Sequence, residues 1–312
     1  MKREVISLNP KSTRFRAVDG LLIAMMIVPL LIAAILKILY TPATEGISIT
    51  GALVYVQIDS MPLQPLIISE SQVNSWAVVI AIVGLCLYLT HGLTAKAELK
   101  RQLAAEWIVE KVDNIVHSNM EGDIFAGYGP FIAAIMGLSA FSSLSCLLGL
   151  FSPTGDVNVT AGWSILVFII ITYYKLKGGL GNYLIGFTKP VVLFTPMSII
   201  GEFATPVSMA FRHYGNVLSG AVISTLIGSA LAGLSAKLLG WLPGFLGDIP
   251  FLRIGIPAIF SIYFDVFSGA MQAFIFATLT TLNISGAVPW EDWEKRRERK
   301  AAKQQKNAAH AV

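Results

Sequence analysis

The chain has 312 residues, of which 54% are hydrophobic and only 13% are charged, and its mean hydropathy is +0.67. This composition is too poor in charge for an ordinary soluble enzyme. The net charge of +4 does not indicate nucleic-acid binding, because the basic residues stand in short flanks of apolar runs. The sequence therefore predicts an all-α integral membrane protein without a nucleic-acid partner.

The first apolar run, residues 20–39, follows a basic segment over residues 1–19. That pattern also fits a cleaved signal peptide, but the run is long and no clean small-residue cleavage motif follows it. We interpret the run as an additional, retained membrane helix. The positive charge of the preceding segment then places the N-terminus in the cytoplasm.

Residues 40–75 are predicted to form an external loop, because they contain no Lys or Arg. A second crossing follows at residues 76–93. The next segment, residues 94–120, has apolar and basic residues on different helical faces, which predicts an amphipathic helix at the cytoplasmic surface. Its apolar positions are Leu99, Leu103, Trp107 and Val112.

A third crossing at residues 130–151 and a fourth ending at Tyr174 are joined by a turn without Lys or Arg, which is predicted to be external. Two longer apolar runs follow, at residues 190–236 and 254–289. A 36-residue helix such as the second would be about 54 Å long, against about 30 Å of hydrocarbon. These two segments must therefore tilt, break or lie partly along the interface.

The loops together predict six crossings with both termini in the cytoplasm. Residues 76–289 form the main membrane domain, and its last two helices are expected to pack as a hairpin. Residues 290–312 carry seven Lys or Arg residues against four acids and form a charged cytoplasmic tail.

An ionisable side chain at membrane depth is energetically expensive and indicates function. Arg212 is the strongest such signal, because a guanidinium keeps its charge and needs a carboxylate or a water-lined cavity. Its helix continues with a small and polar stripe at Gly215, Asn216 and Ser219. The last helix has a stripe of similar spacing at Asp265, Ser268, Gly269 and Gln272. Two such stripes on adjacent antiparallel helices predict the walls of an ion path.

Two simpler interpretations stay open from the residues alone. Arg212 and Asp265 could form a structural salt bridge that joins the two helices. Glu202 lies about 15 Å before Arg212 along the same helix. It could exchange a cation near the cytoplasmic boundary, or it could be an acid placed at a helix start.

The sequence gives little indication of metal, disulfide or nucleotide sites. Cys86 and Cys146 lie in apolar runs without ligand-type neighbours, and the four histidines share no metal-ligand spacing. His213 lies on a different helical face from its neighbour Arg212, which favours an interfacial or packing role. The sequence has no Gly-x4-Gly-Lys-Ser/Thr loop. It therefore predicts no cofactor, metal or ATP-binding site in this chain.

Three stretches resemble the a subunit of the membrane sector of F-type ATP synthases. In that family an R-x-x-x-N-x-x-x-G helix faces a rotor, and these positions fall on Arg212, Asn216 and Gly220. The last helix matches the family's acid-or-His and Q-A-F-I-F pattern with Asp265 and the run that begins at Gln272. The third match is the G-D-V-N-V-T segment, which contains Asp156 as a supporting polar residue.

Three positions depart from the family pattern. The acid that often follows the glycine is replaced by Ala221, which leaves Asp265 as the candidate carboxylate of the outer path. Cys146 stands where an Asn commonly precedes the external turn. Ser198 stands where a glutamate is often found, and we expect Glu202 to take over that place.

The resemblance implies a non-catalytic stator subunit with two offset half-channels that pass H⁺ or Na⁺ to carboxylates of a rotor ring. Arg212 would hold the unloaded rotor carboxylate and block leakage between the half-channels. Asp265 would load the ion from outside with the help of Asn216 and Gln272, and Glu202 would mark the inner exit.

The implied partners are the rotor c-ring, the peripheral-stalk b subunits and the lipid bilayer of a bacterial inner membrane, and no homo-oligomer is expected. A secondary transporter with an intramembrane Arg and Asp site is the main alternative, although the symmetric halves typical of that class are not found. A non-transporting scaffold is a further alternative, but it would not need unpaired polar stripes.

Overall fold

A computed structural model describes residues 13–41, 51–59, 65–94, 99–120, 125, 127–188, 192–239 and 259–290. Six helices in these segments are long and apolar enough to cross a membrane, which confirms the predicted all-α membrane class and the number of crossings. The six spans are Phe15–Tyr40, Glu70–Thr90, Gly129–Leu148, Val157–Lys177, Thr195–Leu238 and Ile259–Gly286.

The helices are numbered in chain order. They are α1 (Thr13–Tyr40), α2 (Glu70–Thr90), α3 (Lys100–Asn119), α4 (Gly129–Leu144), α5 (Val157–Lys177), α6 (Leu180–Thr188), α7 (Thr195–Leu239) and α8 (Gly269–Gly286). A π-helical segment, Ile262–Ser268, leads directly into α8. Helix α2 begins at Glu70 rather than at Trp76, because its first polar residues are buried against other elements and do not need water.

The segment predicted as an external loop contains a β-hairpin that the sequence analysis did not anticipate. Strands β1 (Val54–Ile58) and β2 (Leu66–Ser69) pair antiparallel, with Val56 opposite Ile68. Their β-branched residues favour extended structure. We call the end of the helix bundle next to these strands the hairpin end and the opposite end, where α3 lies, the α3 end.

Helix α4 lies at the centre of the bundle. Its Ile132 and Ile135 belong to a buried cluster with Val167 of α5 and Phe276 of α8. Helix α7 packs against α5 and contacts α8, whereas α8 packs mainly against α4. The last two crossings therefore pack side by side, with α8 against α4 and α7 against α5.

Of the four apolar positions of the predicted amphipathic helix α3, only Val112 is buried against the bundle. Val112 and Val116 are buried, whereas Leu103 and Trp107 are more than half exposed. The helix thus has two apolar faces, one against protein and one available to the bilayer surface.

Helix α1 is tied to its neighbours by ion pairs at both ends. At the hairpin end, Nζ of Lys37 lies 3.1 Å from Oε1 of the buried Glu70. At the α3 end, Oδ1 of Asp19 accepts a hydrogen bond from Nη1 of Arg101 at 2.8 Å and lies 2.8 Å from Nδ1 of His91. Between these ends α1 packs along α2.

The Asp19 contacts generate a prediction on stability. Asp19→Asn should lower the free energy of unfolding by about 1.5–3 kcal/mol, the usual contribution of a hydrogen bond to a charged group. Arg101 would then remain between the rings of Phe15 and Tyr88 without its carboxylate. Denaturant titration of the purified protein in mild detergent measures the change. Asp59→Asn, which removes an exposed carboxylate, is the matched control, and equal stability of the two variants would contradict the prediction.

Candidate functional site

Helix α7 is unusually long for a membrane crossing. Its 45 residues run without interruption through Pro206. At 1.5 Å per residue the helix is about 67 Å long, more than twice the hydrocarbon thickness of about 30 Å. Of the three options that the sequence allowed, a break does not occur, so the helix has to tilt or extend beyond the hydrocarbon.

The two sides of α7 differ in chemistry. Met209, His213 and Gly220 are buried against the bundle, whereas Arg212 and Ser219 lie on the exposed side. The Arg212 guanidinium makes no ion pair or hydrogen bond with any residue that the structure describes. The alternative of an Arg212–Asp265 salt bridge between the helices is therefore not what the structure forms.

Helices α7 and α8 meet along their polar stripes. Oγ of Ser268 donates a hydrogen bond to Oδ1 of Asn216 at 2.7 Å. One turn further along, Nε2 of Gln272 lies 3.5 Å from Nδ1 of His213. This register puts Gln272 at the height of Arg212 and puts Asp265 about 10 Å nearer the hairpin end.

Asp265 lies within the π-helical segment Ile262–Ser268 and is half-buried. Its carboxylate accepts a hydrogen bond from Ser261 and lies within electrostatic range of Cys146. The sequence spacing assumed an α-helix here. A π-turn contains an extra residue and changes the direction of the side chains before it, and such turns are frequent at functional sites.

Helix α4 brings a column of buried serines to the same region, which the sequence analysis missed. Ser139, Ser142, Ser143 and Ser145 are all buried. Ser145 and Ser152 both donate hydrogen bonds to the carbonyl oxygen of Ser142, at 2.7 and 2.9 Å. The available signal was the recurrence of serine along an otherwise apolar run.

A glycine allows α8 to approach this column. A Cβ atom placed on Gly269 would lie 2.5 Å from Cβ of Ser143, which is closer than two carbon atoms can approach. The Ser143 hydroxyl is buried and has no hydrogen-bond partner in the described part of the chain. Gly220 of α7 plays a similar part, since its Cβ would lie 3.2 Å from Cβ of Phe264.

Glu202 lies at the α3 end in a polar setting. Its carboxylate accepts hydrogen bonds from Nζ of Lys175 at 2.6 and 2.8 Å and from the Tyr183 hydroxyl at 3.4 Å. Burial, and then the adjacent Glu202 carboxylate, raise the pKa of Tyr183, so this hydroxyl stays protonated and able to donate. The exposed helix-start interpretation does not apply, because Glu202 lies in the third turn of α7.

Two cavities adjoin Glu202. The larger, of about 380 Å³, is also lined by Ser198 and Tyr183, and the smaller, of about 230 Å³, is lined by Thr205 and Asn283. Together the two cavities form a polar recess between α5, α7 and α8 at the α3 end, with Glu202 in both walls.

The remaining predicted residues have other surroundings. Asp156 caps α5, where its Oδ1 accepts from the backbone N–H of Asn158 at 2.9 Å and its Oδ2 accepts from Ser71 at 2.5 Å. Its contacts therefore fasten α2 to α5. A Cβ on Gly215 would meet no atom within 4 Å, so packing within this chain does not require glycine there.

The fold and the site define a multi-pass helical membrane protein with a fixed charge on an exposed helix face. A family described as ATP synthase A chain matches residues 73–285, which is more than half of the chain. The chain belongs to this family, and its role is that of the stator a subunit in an F-type ATP synthase. It is thus a component of an enzyme complex.

Individual relatives agree with this assignment. The subunit a of ATP synthase from Priestia megaterium (strain ATCC 12872 / QMB1551) is 31% identical over 242 residues, which cover 74% of this chain and 97% of the relative. The one from Limosilactobacillus reuteri subsp. reuteri (strain JCM 1112) is 31% identical and covers 70% and 92%. The one from Bacillus pumilus (strain SAFR-032) is 34% identical and covers 66% and 87%.

The close approach of α8 to α4 generates a prediction. Gly269→Ala should destabilise the protein by about 1–3 kcal/mol, the usual range for overpacking. Ser143→Gly in the same chain should restore most of that loss, because the nearest atom to the new Cβ is then the Cα, at 3.9 Å. Denaturant titration in detergent measures both. The control is Gly137→Ala, whose Cβ would meet no atom within 4 Å. Failure of Ser143→Gly to rescue would show that the contact is not the cause.

Proposed function

We propose that this subunit provides two offset half-channels that pass H⁺ or Na⁺ to and from carboxylates of a rotor ring. The observation that carries the proposal is Arg212, which is exposed within a membrane span and has no ion pair among the described residues. An arginine at the bilayer centre costs from about 2.5 to more than 10 kcal/mol, depending on how the cost is measured. Contact of this face with lipid would therefore be energetically unfavourable, whereas contact with a negatively charged protein surface would stabilise the guanidinium.

The rest of the exposed side of α7 supports a protein partner. It is mainly apolar and suits the membrane face of a helical ring. Its exposed apolar residues include Val207, Phe211, Leu218 and Leu226. A mid-membrane carboxylate on each ring subunit would pair with Arg212 in passing, and no other described acid on this side competes for it.

The outer half-channel would run from the hairpin end to Asp265. Cys146 lies within electrostatic range of this carboxylate, and Ser143 packs against Gly269, one turn further along the chain. The Ser143 hydroxyl and the Asn74 amide oxygen are buried without partners among the described residues. Buried polar groups of this kind are usually satisfied by ordered water. A hydrated line of hydroxyls that ends at Asp265 suits the loading of a cation.

The inner half-channel would open through the recess at Glu202. Along the helices, Asp265 lies about 10 Å from the height of Arg212 on one side and Glu202 about 15 Å on the other. Together these distances approach the hydrocarbon thickness of about 30 Å. An ion that leaves one half-channel at mid-membrane would thus reach the other only on a rotor carboxylate.

Electrostatics then couples ion passage to rotation. An ionised rotor carboxylate is held near Arg212, because moving a bare charge into lipid costs at least several kcal/mol. Once an ion neutralises it, the carboxylate can leave toward the bilayer. A membrane potential of 100 mV supplies about 2.3 kcal/mol per elementary charge to drive the cycle. The subunit itself would catalyse no covalent step.

The assembly implied is the c-ring, the peripheral-stalk b subunits and the rest of the synthase, in a bacterial inner membrane. The positive-inside rule would place the α3 end in the cytoplasm, because Arg101, Lys175 and Lys177 lie there. Both termini would then be cytoplasmic and the β-hairpin external.

Arg212→Ala should abolish ATP synthesis driven by an ion gradient, while the assembled complex persists. Arg212→Lys should be nearly as damaging, because lysine carries a compact charge with different geometry. ATP synthesis in membrane vesicles, normalised to the amount of complex, measures both variants. Full activity of Arg212→Ala would refute the proposal.

Asp265→Asn should sharply reduce ion loading from the hairpin side, because it removes the exchangeable charge. Ala221→Glu should partly restore transport to that variant, since Ala221 adjoins Gly220, which packs beside Asp265 against Phe264. Glutamate at Val222, about 100° further round the helix, is the matched control and should not restore it.

The measurement is ion uptake driven by ATP hydrolysis in vesicles that contain the single and double variants. Equal failure of both double variants would mean that the carboxylate must stand in the π-turn itself. Unimpaired uptake by Asp265→Asn alone would remove this residue from the ion path.

A further inference from the structure

His213 is fully buried next to the exposed Arg212, with both of its ring nitrogens engaged. Nε2 lies 3.0 Å from Oγ of Ser139 on α4, and Nδ1 lies 3.5 Å from Nε2 of Gln272 on α8. The imidazole therefore bridges the two helices that surround α7 on its inner side. The ring edges also meet Trp163 and Phe276 at close to right angles.

The place of the imidazole proton follows from the orientation of the Gln272 amide. With the amide nitrogen toward the ring, Nδ1 of His213 accepts from Gln272 and carries no proton, because an amide nitrogen can only donate. The proton is then on Nε2, which donates to the Ser139 hydroxyl. His213 is thus a neutral imidazole in one tautomer.

The arrangement also fixes the Gln272 amide. A planar amide has a donor side and an acceptor side, and its orientation depends on its hydrogen-bond partners. With its nitrogen held by His213, the Gln272 carbonyl oxygen faces away from the imidazole. Gln272 lies at the height of Arg212, so this orientation decides which group it offers to the ion path.

Packing alone does not explain a histidine here. A hydrocarbon side chain of similar volume would fill the space between Trp163 and Phe276 without the penalty of burying two polar nitrogens. The imidazole contacts α4 through Nε2 and α8 through Nδ1 at the same time.

We propose that His213 is a positioning residue that holds the Gln272 amide in a single orientation beside the ion path, with the contact to Ser139 anchoring the imidazole to α4. This inference rests on the proposed ion-translocating function. In this role His213 orients Gln272 and does not itself transfer a proton.

Two substitutions by amide side chains test the contributions of Nδ1 and Nε2 of His213 one at a time. In His213→Asn the side-chain oxygen can stand near the place of Nδ1 and still accept from Gln272. In His213→Gln the amide can stand near the place of Nε2 and reach only Ser139. We expect His213→Asn to retain ATP-driven ion uptake within about twofold of the parent. His213→Gln should lose it about fivefold or more, as expected for one lost hydrogen bond of about 1 kcal/mol.

The measurements are made on the whole synthase in inverted vesicles and are normalised to the amount of assembled subunit. In a Gln272→Leu background the two His213 variants should become indistinguishable, because the amide that they would orient is gone. A difference that persists in that background would overturn the proposal. So would an inactive but assembled His213→Asn synthase, since the ring itself would then be required.

The Arg212→Ala variant, assayed in parallel, keeps this test separate from that of the proposed function. If Arg212→Ala remains active, the ion path itself is wrongly placed. If Arg212→Ala is inactive and His213→Gln equals the parent, only the positioning role fails.

Discussion

A permanent positive charge on an exposed face of a membrane helix is the constraint on which the site depends. The Arg212 guanidinium cannot be neutralised by losing its proton, and no acid in the described segments pairs with it. In the proposed function, its electrostatic partner is the carboxylate of a rotor subunit. The proposed cycle keeps this charge fixed while its partner moves, which requires a rigidly held α7, and the buried hydrogen bonds of this helix lie on its inner side.

Small residues make that rigidity possible. Gly269 lets α8 approach Ser143 of α4, and Gly220 lets α7 approach Phe264. Close backbones bring short polar side chains within bonding distance, as in the Ser268 to Asn216 hydrogen bond at 2.7 Å. The polar groups thus form a layer between packed helices.

The features that could be predicted from the sequence are those visible in the order of apolar and charged residues along the chain. The six crossings, the isolated Arg212 and the isolated Asp265 all stand out as breaks in apolar runs. Sequence reasoning did not find the β-hairpin or the π-turn, because both depend on tertiary contacts that override local pattern. It assigned His213 only an interfacial or packing role and did not find its contacts with Ser139 of α4 and Gln272 of α8, because both partners are far away in the sequence.

The additional helix α1 lies outside the region matched by the family, yet its contacts reach the site. Lys37 pairs with Glu70, and the same carboxylate accepts a hydrogen bond from the backbone N–H of Phe151 at 3.2 Å. Phe151 belongs to the turn after α4, which also holds Ser152 against the serine column. A buried carboxylate needs all of its partners, because losing one leaves charge uncompensated. Helix α1 therefore helps to fix the turn after α4, which lies at the entrance of the proposed outer half-channel.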